Sequence, residues 1–389
     1  MRERNTDPYA WVELATMNLL CAYCFIKRGL RSKAQPGVRR MRALRKNFYK
    51  TMWRSAAEAA GAHFNALPDG TVELWRSNQL MKVRDNKTSL DDGPTASRAA
   101  DKLLVSDLLF RSGIPVPHHI VIEIGEFEKA MQMLRSSAIP LVVKPAANTG
   151  AGAGVSTNVT TQHRLRLAVA WARAYGPRIL IEEQLEGDCY RVLVMDGEVV
   201  DTVVRYPPKI IGDGRSTVRQ LVRYENKLRL EGGAELAQGL IRIDPDLRNS
   251  LSNQGLRLGS RPANGRVVVL KRVINDNGTR DNVPANGRLC PAILESARKA
   301  VEVVGARLAG VDIMCRDTQV PLEQSHGAVI EVNLNPGLYY HYRAGDSGFP
   351  VAERVLNRFF NAAAGRQQAA ERRRIDPSFS DQLVAVKTR

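Results

Sequence analysis

The sequence predicts an α+β protein. From about residue 96 onward, apolar runs with strand character alternate with helical segments, and turn signals such as Asp196-Gly197 join neighbouring strands as hairpins rather than as strict βαβ units. The chain has 389 residues, of which 44% are hydrophobic and 25% are charged. This composition is typical of globular proteins and excludes a collagen, a coiled coil or a wholly disordered chain.

The amino-terminal region is strongly basic. The net charge is +17, and residues 1–54 contain 13 Lys and Arg against 3 Asp and Glu. Residues 8–60 have a helical pattern, and Gly61 is a suitable helix end. A basic surface favours anionic partners: nucleotide phosphates, acidic peptides, nucleic acid or anionic lipid. Nucleic acid ranks low, because aromatic residues are sparse and no reading motif is present.

Cysteine usage and hydropathy predict a reduced, cytoplasmic protein that does not span a membrane. Five cysteines in a chain of this length do not make a disulfide scaffold, and Cys21 and Cys24 fit two small apolar residues on one helix face better than a zinc site. The most apolar stretch, residues 11–30, contains charged side chains and lacks the features of a signal peptide.

The periodicity locates the main elements. Strands are expected at residues 71–75, 79–83, 120–124, 141–144, 179–182, 190–194, 198–204, 267–271, 309–314 and 328–333, and helices at 96–112, 126–136, 164–174, 216–231 and 353–363.

A glycine-rich segment follows the strand that ends near Lys144. Gly150, Gly152 and Gly154 allow backbone N–H groups to approach phosphate oxygens, and Lys144 can reach phosphates as a point charge. A β-prone run follows the glycines, whereas a Rossmann site or P-loop needs the start of a helix. The pattern favours a flexible β-hairpin over nucleotide phosphates; a plain surface hairpin and a solvated lysine are the alternatives.

Hydrogen-bond acceptors follow the strand at 179–182. A backbone edge with Leu185 could hold a purine, and a carboxylate of the segment Ile181–Asp188 could hold ribose hydroxyls. A solvated acidic turn is the alternative.

Two late apolar strands carry hard oxygen ligands. Glu331 and Asn333 are two residues apart and share one face of their strand. If that strand adjoins the strand with Asp312, the three side chains converge as a Mg²⁺ site; an outward polar face is the alternative. An earlier strand ends in Lys271-Arg272, where a guanidinium could stabilise charge that develops on a carbonyl oxygen, although surface basicity also explains this pair.

Together and in this order, these segments resemble the ATP-grasp superfamily of ligases, and within it the ATP-grasp module of cyanophycin synthetases. The matching segments, over about residues 96–362, are Asp101-Lys102, Gly113–Pro117, Val142–Pro145, the glycine-rich segment, Glu182–Gly187, Tyr190–Val194, Gly212–Val218, Gly310–Asp312 and Glu331–Gly337.

The resemblance implies two α+β lobes that clasp ATP. It places a basic N-terminal domain at residues 1–95, the ATP-grasp domain at 96–363 and a polar C-terminal tail at 364–389. Lys102 and Lys144 would contact the ATP phosphates.

The same resemblance assigns the rest of the nucleotide site. The segment from Asn148 to Gly154 would close over the phosphates. Adenine would be held by Glu182, Glu183 and Leu185. The family's ribose-binding acid falls near Cys189, which cannot play that part, so Asp188 or Glu186 is expected to replace it. Asp312, Glu331 and Asn333 would bind Mg²⁺, with Mn²⁺ as an alternative, and Arg272 and Lys144 would be catalytic.

The implied activity is ATP-dependent ligation of a carboxylate to an amine through an acyl phosphate, with release of ADP and phosphate. The expected substrates are an amino acid or an acidic peptide, and a homodimer or higher homo-oligomer is left open. The alternatives are a non-catalytic nucleotide-binding protein and a basic nucleic-acid-binding protein. A structural or surface role is favoured for the histidines, although Tyr340 and His341 could line an acceptor pocket.

Overall fold

The computed structural model describes residues 8–33, 36–147, 149–150, 152–232, 239–274, 276, 281–342 and 350–362. Contacts divide the chain into two units: one contains residues up to Phe48 together with Leu90–Phe349, and the other contains Tyr49–Ser89 together with the residues from Pro350 onward. A compact unit of this kind need not coincide with a domain, so the predicted boundaries at residues 95 and 363 stay a prediction.

The helices are α1 (Pro8–Lys33), α2 (Pro36–Ala59), α3 (Gly93–Ala100), α4 (Lys102–Arg111), α5 (Phe127–Ser136), α6 (Gln162–Arg173), α7 (Val218–Glu231), α8 (Pro245–Asn253), α9 (Pro291–Val304) and a last helix over residues 351–362, with short 3₁₀ turns at Ile124–Glu126 and Leu338–His341. The strands are β1 (His63–Ala66), β2 (Val72–Arg76), β3 (Gln79–Arg84), β4 (Lys87–Thr88), β5 (His119–Ile122), β6 (Leu141–Pro145), β7 (Ser156–Val159), β8 (Ile179–Glu183), β9 (Asp188–Met195), β10 (Glu198–Arg205), β11 (Lys209–Ile211), β12 (Val267–Val269), β13 (Asn282–Pro284), β14 (Leu308–Cys315) and β15 (Ala328–Leu334).

The helix predicted over residues 96–112 is wrong as a single element, because the structure divides it into α3 and α4 at Asp101. The Asp101 carboxylate accepts hydrogen bonds from the backbone N–H groups of Leu103 and Leu104, so it caps the start of α4. Its backbone also forms an isolated bridge with Ala147. The interruption therefore fixes Lys102 at the first position of a helix.

A four-stranded antiparallel sheet has the order β5-β8-β6-β7. Its core includes Leu141, Val143 and Ile181 from the strands and residues of α5 and α6. Met17 and Cys24 of α1 pack into the same core, which is the role predicted for the cysteine pair. The pairing of β6 with β7 confirms the predicted hairpin around the glycine-rich segment.

A five-stranded sheet has the order β13-β10-β9-β14-β15. One face packs on α4 and α9 and contributes Val192, Val204, Val311 and Val332 to the core. The predicted hairpin of β9 with β10 is confirmed, with Asp196-Gly197 in the turn. The opposite face of this sheet carries the polar side chains of the candidate site.

A smaller layer lies between β10 and β13 in the sequence. It consists of the ribbon β11-β12 with α7 and α8, packed around a cluster that includes Val222 and Leu251. Lys271 is 1% exposed there, and its Nζ atom donates to carboxylate oxygens of Asp244 at 2.5 Å and of Asp276 at 2.6 Å. These contacts fix the end of the segment that follows β12.

The other unit contains the antiparallel sheet β1-β2-β3-β4, whose central strands confirm the predictions at residues 71–75 and 79–83. Leu74, Met81 and Val83 are buried, and Trp53 donates from Nε1 to the carbonyl oxygen of Asp85 at 2.8 Å. Among the helices that the structure describes in both units, none is long and apolar enough to cross a membrane.

Candidate active site

The register of the five-stranded sheet aligns the predicted metal residues. Glu331 lies opposite Asp312, Asp312 opposite Arg191, and Arg191 opposite Val203. Residues directly opposite in antiparallel strands project from the same face of the sheet. The side chains of Glu331, Asp312 and Arg191 therefore form one polar row across β15, β14 and β9, on the face away from the core.

Asp312 is the most strongly held group of this row. Arg191 donates to it in bidentate fashion, from Nε to Oδ1 at 2.7 Å and from Nη2 to Oδ2 at 2.6 Å. Arg205 adds contacts of 3.3 Å from Nη1 to both oxygens. Burial raises the pKa of Asp312, but the two guanidinium groups outweigh it and hold the pKa below its usual range. Asp312 is therefore ionised at neutral pH.

Glu331 forms an ion pair with Lys102, which is the first residue of α4. Burial and the nearby Asp312 carboxylate raise the pKa of Glu331, whereas Lys102 and Lys144 lower it, and the net pKa lies below its usual range. The structure thus brings both predicted phosphate-binding lysines within electrostatic reach of the predicted metal ligands.

Asn333 completes the predicted set. Its Nδ2 atom donates to Asp312 Oδ2 at 3.3 Å and to the carbonyl oxygen of Gly310 at 3.4 Å, and its Oδ1 atom accepts no hydrogen bond from the described part of the chain. Two carboxylates and an amide oxygen are the hard donors that Mg²⁺ prefers. Within the described residues no cluster of three or more His, Cys, Asp or Glu side chains could hold a metal ion, so such a site depends on Asn333 or on ligand oxygens.

Lys144 lies at the end of β6, where its side chain is buried beside Glu182 of β8. Its Nζ atom donates to Glu182 Oε1 at 2.7 Å, and both residues are 6% exposed. The alternative of a solvated lysine at this position is therefore wrong. A buried lysine held by one carboxylate is a fixed positive charge for an incoming phosphate.

The backbone after Glu182 differs from residue to residue in its hydrogen bonds. The N–H of Glu183 donates to His118 and that of Gln184 donates to Pro140, whereas the N–H of Leu185 has no acceptor among the described residues. The amide group of Gln184 pairs with Asn158 on β7, which fixes this turn beside the glycine hairpin. The N–H of Leu185 is therefore the backbone donor of this turn that is open to a ligand.

The glycine hairpin has the backbone that its composition predicts. Gly152 and Gly154 have φ values of +61° and +80°. A Cβ atom at Gly154 would lie 2.6 Å from Pro145 Cγ, so only glycine fits there, whereas Gly150 has open space around it. Asn148, which was also predicted to contact the nucleotide, lies outside the described residues.

The predicted ribose-binding residues lie at the start of β9. Asp188 is exposed, and Glu186 accepts from Arg316 Nη2 at 2.6 Å. Cys189 is buried, and burial, with a smaller effect of Asp312, raises the pKa of its thiol to about 12. Because Glu186 pairs with Arg316 and Asp188 is exposed, Asp188 is the carboxylate more accessible to a ligand.

Arg272 is exposed and contacts none of the predicted metal ligands. The chain after Arg272 comes near the polar row at Ile274, whose carbonyl oxygen accepts a hydrogen bond from Arg205. Arg191 and Arg205 are the guanidinium groups that the structure places on Asp312, and sequence reasoning assigned neither a role. The sequence did contain a signal for them: each is a charged residue inside an apolar strand, where alternate side chains point to the same face of the sheet.

One protein family, several known proteins and several solved structures match part of this chain. The family described as D-ala D-ala ligase C-terminus matches residues 108–255. Cyanophycin synthetase of Trichormus variabilis is 31% identical over 273 residues, which cover 69% of this chain and 30% of that protein. The glutathione biosynthesis bifunctional protein GshAB of Clostridium perfringens is 30% identical over 308 residues, which cover 77% of this chain and 39% of that protein.

A solved structure is also similar. The bifunctional glutathione synthetase from Pasteurella multocida aligns with a TM-score of 0.45 and 24% identity over 74% of this chain and 40% of that chain. The chain spans well under half the length of these larger relatives.

Proposed function

Because the chain belongs to the ATP-grasp superfamily of ligases, we propose that it is an ATP-dependent carboxylate–amine ligase that forms an amide bond and releases ADP and phosphate. The observation that carries the proposal is the polar row of Glu331, Asp312 and Arg191, with Lys102 on Glu331 and Lys144 within electrostatic reach.

The charge balance of this cluster suits a polyanion. Arg191 and Arg205 on Asp312, Lys102 on Glu331 and Lys144 on Glu182 concentrate four cationic side chains in a largely buried region. Charge-assisted hydrogen bonds from such groups bind phosphate oxygens strongly. A nucleotide triphosphate supplies such oxygens.

Different residues of the site would bind the phosphates, the adenine and the metal ion. Lys102 and Lys144 would bind and neutralise the phosphates, the glycine hairpin would cover them, and the N–H of Leu185 would orient the adenine. Asp312, Glu331 and Asn333 would hold Mg²⁺, which supplies charge neutralisation of the phosphates when it is bound.

The reaction places few demands on nucleophilic side chains. A carboxylate is a poor acyl donor, and transfer of the terminal phosphate to it creates an acyl phosphate with a good leaving group. The protein's part is to align the carboxylate with the phosphate and to stabilise the charge that develops in transfer. Arg191 and Arg205, which both contact Asp312, would supply guanidinium groups for this purpose. Arg272 would serve only if its segment moves toward the row.

The proposed substrates are an amino acid or a peptide with acidic character. The relatives are named for cyanophycin and glutathione synthesis, and the net charge of +17 favours acidic molecules.

The test is product analysis with an equimolar mixture of L-amino acids and acidic dipeptides, ATP and Mg²⁺. We expect substrate-dependent ADP and phosphate from the wild-type protein and from Glu323→Gln, which changes an exposed carboxylate before β15. Glu331→Gln should reduce the rate by about 10²–10³, as removal of one transition-state contact does. AMP and pyrophosphate, or equal rates of the two variants, would contradict the proposal.

A further inference from the structure

A buried histidine–aspartate pair lies beside the polar row. His341 ends the 3₁₀ turn Leu338–His341 and is fully buried, and its Nδ1 atom lies 2.6 Å from Asp201 Oδ2 on β10. The other oxygen of Asp201 accepts from Asn286 Nδ2 at 2.6 Å. With both of its oxygens engaged, the carboxylate holds the imidazole in one orientation.

The pair leaves one ring nitrogen without a partner. His341 Nε2 is shielded from solvent and has no hydrogen bond to any described residue. Burial lowers the pKa of His341 more than the hydrogen bond to Asp201 raises it, and Arg191 and Arg205 lower it further. The imidazole is therefore neutral at pH 7, and its contact with a carboxylate places the proton on Nδ1 and the lone pair on Nε2.

The sheet register fixes where this pair lies. Asp201 is two residues from Val203 on β10, so it projects from the same face as Arg191 and Asp312. Strands β10 and β14 are separated by β9, and Asp201 lies opposite Leu193, two residues along β9 from Arg191, so the backbones of Asp201 and Asp312 are about 12 Å apart at about 4.8 Å per strand and about 3.4 Å per residue. A small substrate could span this distance.

Tyr340 connects the pair with the guanidinium groups. Its ring lies 4.3 Å from Arg205 Cζ and 5.1 Å from Arg191 Cζ. Arg205 Nε is buried and also lacks a partner in the described part of the chain. An unused donor on Arg205 thus lies beside the ring of Tyr340, and an unused acceptor lies on the next residue, His341. Buried polar groups of this kind call for a ligand or a water molecule.

We propose that His341, oriented by Asp201, binds the acceptor amine of the ligation and takes its proton. This inference rests on the proposed ligase function. It makes His341 a catalytic residue and Asp201 a positioning residue, and it assigns the amine side of the site to the 3₁₀ turn after β15, on the β10 side of the row.

The ligation requires the ammonium nitrogen to lose two protons, and His341 would accept the first of them. An amine that arrives as an ammonium ion gives one proton to His341 Nε2, and its freed lone pair attacks the acyl carbon. The bond from that carbon to the phosphate oxygen breaks, and its electron pair leaves with the phosphate. The second proton of the nitrogen passes to the departing phosphate, and the imidazolium later releases the first to solvent.

Hydroxylamine separates this step from activation of the carboxylate. It is largely unprotonated at neutral pH, so it attacks acyl phosphates without a base and yields a hydroxamate. The experiment compares the wild-type protein with His341→Asn, whose side-chain N–H can still donate to Asp201 but which has no atom at Nε2. His326→Asn is the matched control, because His326 is exposed with φ of +49°, where Asn is well tolerated.

With the amino-acid and dipeptide mixture, His341→Asn should form amide about 10²–10⁴ more slowly than the wild-type protein, the usual contribution of a general base. It should form hydroxamate at a rate close to wild type, and His326→Asn should match wild type in both reactions. Equal loss of both products, or retention of both, would overturn the inference. Absence of ADP and hydroxamate from the wild-type protein would instead contradict the proposed ligase function.

A second measurement does not depend on folding of the variant. In wild-type protein labelled with ¹⁵N-histidine, the Nε2 signal of His341 should have the shift of an unprotonated nitrogen, and it should move when glycine is added as an amine probe with ADP and Mg²⁺. A protonated Nε2, or a signal that no amine of the mixture moves, would overturn the assignment.

Discussion

Asp312→Asn should destabilise the protein strongly, because it removes the carboxylate that two buried guanidinium groups share. At contact distances of 2.6 Å to Arg191 and 3.3 Å to Arg205, each pair is worth on the order of 5 kcal/mol at an effective dielectric constant of about 20. Desolvation offsets much of this attraction in the intact site, but the variant leaves two buried cations unpaired. We expect a loss of about 3–5 kcal/mol in the free energy of unfolding.

The assay is urea unfolding followed by circular dichroism, with Asp107→Asn as the matched control. Asp107 pairs with Arg111 on the exposed face of α4, a contact worth about 0–1 kcal/mol. Replacing Arg205 with Met should destabilise the wild-type protein and restore part of the stability of Asp312→Asn, because it removes one unpaired cation. An unfolding midpoint of Asp312→Asn equal to that of Asp107→Asn would refute the reasoning.

Three other outcomes can be checked. Gly154→Ala should lower turnover and melting temperature, because its φ is positive and its Cβ would overlap Pro145, whereas Gly259→Ala, at a glycine with open space outside the site, should change neither; a normal melting temperature for Gly154→Ala would contradict this. Lys144→Met should weaken ATP binding by about 10–150-fold in calorimetry, the value of a charged hydrogen bond, and Lys209→Met, on an exposed residue, should not. Burial lowers the pKa of His341, so as the pH falls this histidine is protonated in the unfolded chain before it is protonated in the folded protein. The free energy of unfolding should therefore fall as the pH drops below about 6.5, by at most about 1.4 kcal/mol per pH unit. His341→Asn should remove this contribution to the pH dependence.

Local patterns predicted the longer strands and the glycine hairpin, but not the short strands β1, β4, β7, β11 and β13. The approach of Asp312 to Glu331 was also predictable, since it required only that two late apolar strands be neighbours. Periodicity alone missed the break at Asp101, although the family resemblance includes a helix that opens with Asp101-Lys102. The break shows itself in the extended backbone of Asp101, its capping side chain and its bridge to Ala147.

Helix α9 was missed although its signals were present. Pro291 lies in its first turn and Gly305 follows its last residue in a left-handed conformation. Segment α8 was also missed, although Asp244 caps it and Pro245 begins it.

The parts of the site that the sequence did not predict depend on contacts between residues far apart in the chain. Arg191 and Arg205 became part of it through the register of β9 and β10, and Asp201 meets His341 across 140 positions of sequence. No local pattern encodes such pairs. The candidate catalytic guanidinium was therefore placed on Arg272, whose strand ends in a basic pair, rather than on the two arginines inside apolar strands.

The most direct test of the ligase account follows an oxygen atom. The mixture of amino acids and acidic dipeptides is prepared with ¹⁸O in its carboxylates, and the inorganic phosphate released with ATP and Mg²⁺ is examined by mass spectrometry. Transfer through an acyl phosphate predicts that the phosphate carries an ¹⁸O atom from the substrate. Unlabelled phosphate, or ¹⁸O recovered in AMP, would contradict it.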